Sequence, residues 1–149
     1  MLIVILSTIF FLVDQVSKLL VIRFLNEGNV ISVIDDFFYI LPTNNTGAAF
    51  SILVGQRIFL IGVTAIIIGF LLYYVIRNRN SIVSKIDIII FSLIIGGSFG
   101  NLFDRIFRGY VVDFLSVRIG DYSFPIFNVA DSFIVIGVVL LVLVGGRKK

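Results

Sequence analysis

The sequence predicts a mainly α-helical membrane protein, a four-transmembrane-helix bundle with a small extracytoplasmic β element. Hydrophobic residues make up 59% of the 149 residues and charged residues only 14%. The mean hydropathy of +1.15 lies far from the balance of a water-soluble domain, and four apolar stretches approach the roughly 20 residues that a spanning helix needs. No linker-like or repeated segment divides the chain, so we predict a single membrane domain over residues 1–149.

The four predicted membrane spans cover residues 2–25, 57–76, 86–103 and 129–146. The first span invites comparison with a cleaved secretory signal peptide. It lacks the basic n-region and the small-residue cleavage site of such a peptide, and polar residues interrupt it. We therefore expect the first span to be retained as a helix of the bundle.

Lysines and arginines near the ends of the spans predict the orientation of the bundle, because cytoplasmic loops carry an excess of both. The loop over residues 77–85 is basic, and so are the last residues of the sequence. The residues concerned are Arg77, Arg79, Lys85, Arg147, Lys148 and Lys149. Four spans place this loop and both termini on one side of the membrane, and we predict that this side is cytoplasmic.

The two predicted outer segments, residues 26–56 and 104–127, have no helical pattern. The stretch "VISVIDDFFYIL" is β-branched and aromatic and is predicted to be extended up to a turn at "PTNN". In "SVRIGDYSF", Gly120 and Asp121 lie between short alternating runs and predict a two-residue hairpin turn. The aromatic residues of both segments suit the membrane interface. We therefore expect a small β element on the outer surface.

Cysteine and histidine are absent from the sequence. Their absence excludes thiol nucleophiles, disulfides, a Ser-His triad and the usual zinc sites. The net charge of +3 does not indicate a nucleic-acid partner, because the basic residues are scattered or lie at span ends. They form no stripe with interleaved aromatic residues.

Polar side chains of three spans are predicted to lie at one depth. A helix rises about 1.5 Å per residue through a hydrocarbon core of about 30 Å. This rise places five residues in a layer near the outer face: Asp14, Lys18, Asn101, Asn128 and Asp131. Ionisable groups in membrane helices are costly and normally mark a functional site. Asp14 and Lys18 are four residues apart, so mutual neutralisation and a site role are both open for this pair.

The third span combines polar residues with closely spaced glycines. Asn101, Asp104 and Arg105 share one helix face by their spacing, and an interfacial salt-bridge network explains the two charged residues as well as ligand binding does. An amide in the apolar part of a helix needs hydrogen-bond partners, so Asn101 indicates a site. Gly96 and Gly100 have GxxxG spacing, which predicts the close approach of another helix.

Two carboxylates are the candidates for chemistry, Asp113 in "GYVVDF" and Asp131 in "NVAD". Asp131 has a structural explanation as the third residue of a helix capped by Asn128, close to a capping box. Asp113 lies in an apolar stretch, where its charge needs a partner. If the fold brings the two carboxyls within about 3 Å, they share a proton and can activate water against a peptide carbonyl. Spacing alone leaves the capping role and the acid pair both open.

Five short motifs run in order through nearly the whole chain. They are "DQVSK" at 14–18, "NTGAAF" at 45–50, "GGSFGNLFDR" at 96–105, "GYVVDF" at 109–114 and "FNVADS" at 127–132. In this order they resemble the lipoprotein signal peptidase (signal peptidase II) family, bacterial membrane aspartyl proteases that cleave the signal peptide from lipid-modified prolipoproteins. Each motif alone is weak, whereas five in order are specific.

The resemblance implies an outer β-sheet cradle, cytoplasmic termini and an active site near the outer face of the bacterial cytoplasmic membrane. It implies that Asp113 and Asp131 are the catalytic pair. The residues that line or support the site by motif match are Asp14, Lys18, Asn45, Gly47, Asn101, Asp104, Arg105, Asn128 and Ala130. The implied partners are a diacylglyceryl-prolipoprotein, cut N-terminal to its lipidated cysteine, and membrane lipid. Neither a metal nor an organic cofactor is implied.

Three other classes of protein fit parts of the pattern. A small transporter or channel subunit would line an ion path with intramembrane charges, but the polar residues gather near one face and no inverted repeat is visible. A Ser/Lys protease would pair Lys18 with Ser17 or Ser132, although adjacent residues on a helix do not face each other. A non-enzymatic membrane assembly factor would tolerate the loss of both aspartates.

Overall fold

A computed structural model of the chain describes residues 1–26, 28–48, 52–79, 82 and 84–145. The helices within these ranges are α1 (Leu2–Phe24), α2 (Arg57–Arg77), α3 (Lys85–Phe107) and α4 (Val129–Gly145). The strands are β1 (Ile31–Ile34), β2 (Phe38–Asn45), β3 (Val111–Ile119) and β4 (Tyr122–Ser123). The chain is thus mainly helical, and its strands lie in the two segments that the sequence predicts to be extended.

Three helices of the described ranges are long and apolar enough to cross a membrane: α1 with 23 residues, α2 with 21 and α3 with 23. The apolar helix α4 is shorter, with 17 residues. The last residue of the fourth predicted span, Gly146, lies outside the described residues. So do part of the predicted inner loop and the basic end of the sequence, namely Asn80, Ser81, Val83, Arg147, Lys148 and Lys149.

α3 is longer than the third predicted span. It continues through residues 104–107 to Phe107, so these first residues of the predicted outer segment are helical, in agreement with the helix face predicted for Asn101, Asp104 and Arg105. Asp104 forms an ion pair with Arg108 one turn later, and such a pair at i, i+4 stabilises the helical conformation. Hydropathy ends the span at the first charged residue, whereas the helix ends where its backbone hydrogen bonds end.

The central helix of the bundle is α3, which packs against each of the other three helices. Of its most apolar 18-residue window 72% is buried, compared with 11% for α2. Ser7 of α1 lies next to Gly96 of α3, and Gln15, further along α1, bonds Gly100 and Asp104, further along α3. α1 and α3 therefore run parallel. α2 and α4 run antiparallel to α3, because Arg57 at the start of α2 bonds the end of α3 and α4 begins near Gly97.

The predicted close approach at Gly96 is confirmed. A Cβ atom at this position would lie 2.6 Å from the Ser7 carbonyl oxygen and 2.9 Å from Phe10 Cβ of α1. Gly97, which the GxxxG spacing does not include, allows an equally close approach on the other side. There a Cβ atom would lie 2.5 Å from the Ala130 carbonyl oxygen of α4. Neighbouring glycines thus let α3 contact two helices at backbone distance.

The four strands form one antiparallel sheet in the order β1-β2-β3-β4. The predicted hairpin turn at Gly120 and Asp121 is confirmed, and it joins β3 to β4. The predicted turn at "PTNN" is wrong, because these residues belong to β2, and the turn lies earlier, between β1 and β2. The pairing of β2 with β3 shifts register between Ile40 and Thr43. This irregularity accommodates Pro42, which has no N–H for the ladder.

A small hydrophobic cluster docks the sheet on the bundle. Val21 near the end of α1 packs with Val112 and Phe114 of β3, and all three side chains are buried. Because successive side chains of a strand alternate between its faces, residue 113 is held firmly between two anchored neighbours. The cluster therefore fixes the position of Asp113 relative to the helices.

Candidate active site

The first turn of α4 is a reciprocal cap. The Asp131 backbone N–H donates to Asn128 Oδ1 over 2.9 Å, and the Asn128 N–H donates to Asp131 Oδ2 over 3.2 Å. This is the predicted capping box, with Asp in place of the usual Glu. The arrangement holds the Asp131 carboxylate at a helix N-terminus, where the free N–H groups and the helix dipole stabilise negative charge.

Asp113 reaches the same point from β3. Its side chain is buried, with a relative exposure of 3% for the residue. One carboxylate oxygen accepts a hydrogen bond from Asn45 Nδ2 over 2.8 Å, and the other accepts one from Asn128 Nδ2 over 2.6 Å. Both oxygens of this acid are thus held by side-chain amides from two different elements.

Asn128 and Asn101 join the two acids into one hydrogen-bond network. Asn101 Nδ2 donates to Asp131 Oδ1 over 2.7 Å. Asn128 Nδ2, besides bonding Asp113, donates to Asn101 Oδ1 over 3.2 Å. The predicted convergence of polar side chains from separate helices is confirmed, and it brings Asp113 and Asp131 onto a common set of amides. Asp131 therefore caps α4 and also shares amide neighbours with Asp113.

Burial dominates the acidity of Asp113. It raises the pKa of this carboxyl from 3.8 to about 6, and the negative charge of Asp131 adds to the rise. The hydrogen bonds from Asn45 and Asn128 and the positive charge of Lys18 act in the opposite direction. Because desolvation disfavours the charged form, Asp113 takes up a proton at a pH at which an exposed aspartate is fully ionised.

The raised pKa predicts a pH-dependent stability difference between the wild type and the Asp113→Asn variant. Between pH about 6 and 3.8 the folded state binds a proton that the unfolded chain releases, so the wild type gains stability as the pH falls through this window. A shift from 3.8 to about 6 corresponds to about 3 kcal/mol. Unfolding measured in detergent should therefore show Asp113→Asn more stable relative to the wild type at pH 8 than at pH 4. A difference that is constant with pH would contradict the assignment.

Lys18, Asp14 and Asp104 form a fully buried ion cluster beside the two acids. Lys18 Nζ lies 2.8 Å from a carboxylate oxygen of each aspartate, and all three side chains have a relative exposure of 0%. The neutralisation of Asp14 by Lys18, one of the two open explanations, is confirmed, and Asp104 adds a second carboxylate. The other oxygen of Asp14 accepts the Ala130 backbone N–H of α4 over 3.0 Å. The cluster thus holds the α4 N-terminus against α1.

Gln15 completes this cluster, and sequence reasoning missed its role. Its Nε2 donates to Asp14 Oδ2, to the Gly100 carbonyl and to Asp104 Oδ1, and its Oε1 accepts from Arg108 Nη1. Arg108 also pairs with Asp104. The available signal was an uncharged amide inside an apolar helix, next to an aspartate, where its four hydrogen-bonding sites need partners.

Arg105 and Gly47 connect the surroundings of Asp113 and Asp131 to the end of β2. Arg105 Nη2 donates to the Gly47 carbonyl over 3.1 Å, and the Gly47 N–H donates to Asn45 Oδ1 over 2.9 Å. The charge of Arg105 acts on both Asp113 and Asp131. Asp104 therefore belongs to a salt-bridge network and Arg105 to the surroundings of the acid pair. Ala49 and Phe50, at the end of the motif that contains Asn45, lie outside the described residues.

A cavity of about 180 Å³ lies beside Asp113. It is lined by Thr43, Asn44, Asn45, Thr46, Val54, Asp113, Pro125 and Ile126. A larger apolar cavity of about 530 Å³ lies between α1, α2 and α3, and neither acid lines it. Within the described part of the chain, no three or more side chains of the types His, Cys, Asp and Glu come together as a metal site. The polar side chains at the smaller cavity are one carboxylate, two amides and two hydroxyls.

The apolar helices, with two carboxylates joined through amides, define a membrane protein with a candidate acid–base site. A family model described as Signal peptidase (SPase) II matches residues 6–145. Relatives named lipoprotein signal peptidase occur in Bacillus pumilus (40% identical, covering 91% of this chain and 88% of the relative) and in Halothermothrix orenii (46% identical, covering 89% and 86%). The chain therefore belongs to the signal peptidase II family, and it is a membrane protease of the aspartic type.

Two solved structures, each described as a bacterial membrane enzyme, share this fold. One has a TM-score of 0.87 at 33% identity and covers 97% of this chain and 87% of its own. The other has a TM-score of 0.82 at 35% identity and covers 95% and 90%. The family and these neighbours agree with a bacterial membrane protein, and they do not favour a transporter.

Proposed function

We propose that the protein is an aspartyl endopeptidase that removes the signal peptide from diacylglyceryl-modified prolipoproteins. Cleavage falls on the N-terminal side of the lipidated cysteine. The observation that carries the proposal is the bridge made by Asn128, which bonds Asp113 through its side chain and caps Asp131 through its backbone and side chain. The names of the relatives in Bacillus pumilus and Halothermothrix orenii support the substrate.

In the proposed reaction Asp113 and Asp131 share one proton. The ionised acid removes a proton from water while the water oxygen forms a bond to the scissile carbonyl carbon, and the protonated acid gives its proton to the carbonyl oxygen. The tetrahedral intermediate then collapses. The carbon–nitrogen bond breaks, the proton taken from water passes to the leaving amine, and the hydroxyl proton returns to the second acid. The pair regains its single proton.

The remaining site residues have proposed supporting roles. Asn45, Asn101 and Asn128 donate to the acids, and Arg105 with Gly47 lines the substrate site beside them. The other proposed supports are Asp14, Lys18, Asp104 and Ala130, which join α1, α3 and the start of α4. A rigid arrangement of this kind preserves the geometry that general acid–base catalysis needs.

The proposed topology is a single domain with four spans and an outer β cradle. Both termini are cytoplasmic, and the acid pair lies near the outer face of the bacterial cytoplasmic membrane. The basic residues Arg77, Arg79 and Lys85 support this orientation, since they lie at the end of the bundle opposite the acid pair. The lipid tails of the substrate stay in the membrane lipid while the scissile bond is held at the depth of the acids.

The contacts of Lys18 argue against a Ser/Lys protease. Lys18 Nζ bonds two carboxylates and the Asn101 amide oxygen, and no serine hydroxyl is among these partners. The Ser17 hydroxyl donates to the Asp14 carbonyl, and the Ser132 hydroxyl donates to the Asn128 carbonyl. Both serines thus have the backbone bonds of ordinary helical residues.

Cleavage of purified diacylglyceryl-prolipoprotein in detergent tests the proposed substrate. The protein should convert it to the mature lipoprotein and the signal peptide. A matched substrate with an unmodified cysteine should be cleaved at least about 100-fold more slowly, because remote binding energy from the lipid is used to position the scissile bond. Gel shift and mass spectrometry measure both reactions. Efficient processing of the unlipidated substrate would exclude the lipid requirement, and no cleavage of either would exclude the function.

A further inference from the structure

The three asparagines around the acids each have one fixed amide orientation. Asn45 Oδ1 accepts the Gly47 N–H, and Asn128 Oδ1 accepts the Asp131 N–H. These backbone donors require an oxygen at that place, so each amide turns its NH₂ group toward an acid. Among the described residues, no backbone N–H donates to Asn101 Oδ1. This oxygen accepts the Asn128 amide over 3.2 Å and, in addition, a hydrogen bond from a positively charged group.

That charge belongs to Lys18, whose Nζ donates to Asn101 Oδ1 over 3.1 Å. An ammonium group has three donors and no acceptor. The three donors of Lys18 are matched by Asp14, Asp104 and Asn101, at 2.8, 2.8 and 3.1 Å. With Arg108 paired to Asp104, two positive and two negative charges make the cluster neutral. The single neutral acceptor of Lys18 is therefore the amide that contacts Asp131.

If the oxygen and nitrogen of the Asn101 amide exchanged places, both of them would face an unfavourable neighbour. Its NH₂ group would then face the Lys18 ammonium, and its oxygen would face the Asp131 carboxylate. Lys18 has a relative exposure of 0% and Asn101 of 7%, so there is little water to compensate, and unmatched polar groups in such surroundings are costly. The ammonium, together with the Asn128 amide, thus selects the orientation in which Asn101 donates to Asp131.

Given the proposed aspartyl mechanism, we propose that Lys18 is a positioning residue: by fixing the amide of Asn101 it makes Asp131 the ionised acid and leaves the shared proton on Asp113. Asp131 accepts the Asn101 amide and the Asn128 backbone N–H at a helix N-terminus. Asp113 accepts only side-chain amides among the contacts of the described residues. Its pKa, raised by burial to about 6, agrees with this division of roles.

The other charges near Asp131 do not replace this contact. Asp113 faces it from β3, Arg105 and Asp104 lie on α3, and Asp14 lies on α1 beside Lys18. Arg105 acts more strongly on Asp131 than on Asp113, so it favours the same ionised acid as the contact through Asn101 does. Asn101 donates directly to Asp131, whereas Lys18 acts on Asp113 only through its charge and Asn101 reaches Asp113 only through Asn128.

The pH profile of cleavage tests the positioning role. In the Lys18→Met, Asp104→Asn double variant the cluster keeps equal numbers of charges, but Asn101 loses its charged donor and keeps only the Asn128 amide on its oxygen. The acid limb of kcat/KM for diacylglyceryl-prolipoprotein reports ionisation of the base. Loss of a donor to the ionised form should move this limb to higher pH by about one unit, so that activity at pH 6 relative to pH 8 falls about tenfold. Asp104→Asn alone keeps Lys18 on Asn101 and leaves the cluster one positive charge in excess, so it should not move the limb to higher pH.

Asn101→Leu provides a second variant that leaves Lys18 paired with Asp14 and Asp104. It should move the acid limb in the same direction, and combining it with the double variant should add no further shift. A uniform loss of activity with an unmoved limb in either variant would identify a merely structural role and overturn the inference. An inactive wild type would instead overturn the proposed function, so the two failures are distinguishable.

Discussion

Asp113→Asn and Asp131→Asn should each lower kcat for cleavage of diacylglyceryl-prolipoprotein by at least about 1000-fold, because loss of one acid removes the base or the acid from a reaction that needs both. Asparagine nearly matches aspartate in shape, so the packing around Val112 and Phe114 is retained. Single-turnover cleavage in detergent measures the loss. The two losses should not add in the double variant, since the acids act as one unit.

Asp121→Asn is the matched control for the loss of an acid. Asp121 lies in the exposed turn between β3 and β4, on the same sheet as Asp113 but away from the network. This variant should keep wild-type kcat. Thermal unfolding of all variants separates a loss of chemistry from a loss of fold. Retention of more than about a tenth of wild-type activity by a folded Asp113→Asn or Asp131→Asn protein would disprove the catalytic pair.

The layer of polar residues was predictable because depth along a helix follows from residue number alone. With a fixed rise per residue, the positions of Asp14, Asn101 and Asp131 could be compared before any contact was known, and their convergence is confirmed. The cap at Asn128 was predictable for the same reason, since a capping box depends on a local spacing of three residues.

Contacts between elements were not predictable in this way. The position of Gln15 in the sequence does not reveal that its side chain bonds Gly100 and Asp104 of α3. Likewise, Pro42 in "PTNN" indicates a turn locally, but pairing with β3 keeps the segment extended. Tertiary contacts override local preference in both cases. The amide orientations around the acids depend on such contacts, so the division of roles within the pair required the fold.

Gly97→Val should lower kcat by at least about 100-fold and destabilise the protein by about 1–3 kcal/mol. A Cβ atom at residue 97 would lie 2.5 Å from the Ala130 carbonyl oxygen and 3.0 Å from Ile134 Cγ1, so α4 must move away from α3. The first contact is with backbone, which cannot rotate aside, and overpacking of this kind typically costs about 1–3 kcal/mol. Asp131 follows Ala130 directly and moves with it. A displacement of about 1 Å at a reacting group costs about 100-fold in rate.

Gly62→Val is the matched control, because no atom lies within 4 Å of a Cβ at this position in α2. It introduces the same side chain into a membrane helix on a lipid-facing surface, and both kcat and the unfolding midpoint should stay near wild-type values. The comparison separates the effect of a β-branched residue in a helix from the effect of separating α3 and α4. Equal losses in the two variants would contradict the argument, whereas loss confined to Gly97→Val would show that backbone contact between these helices holds Asp131 where Asp113 can share its proton.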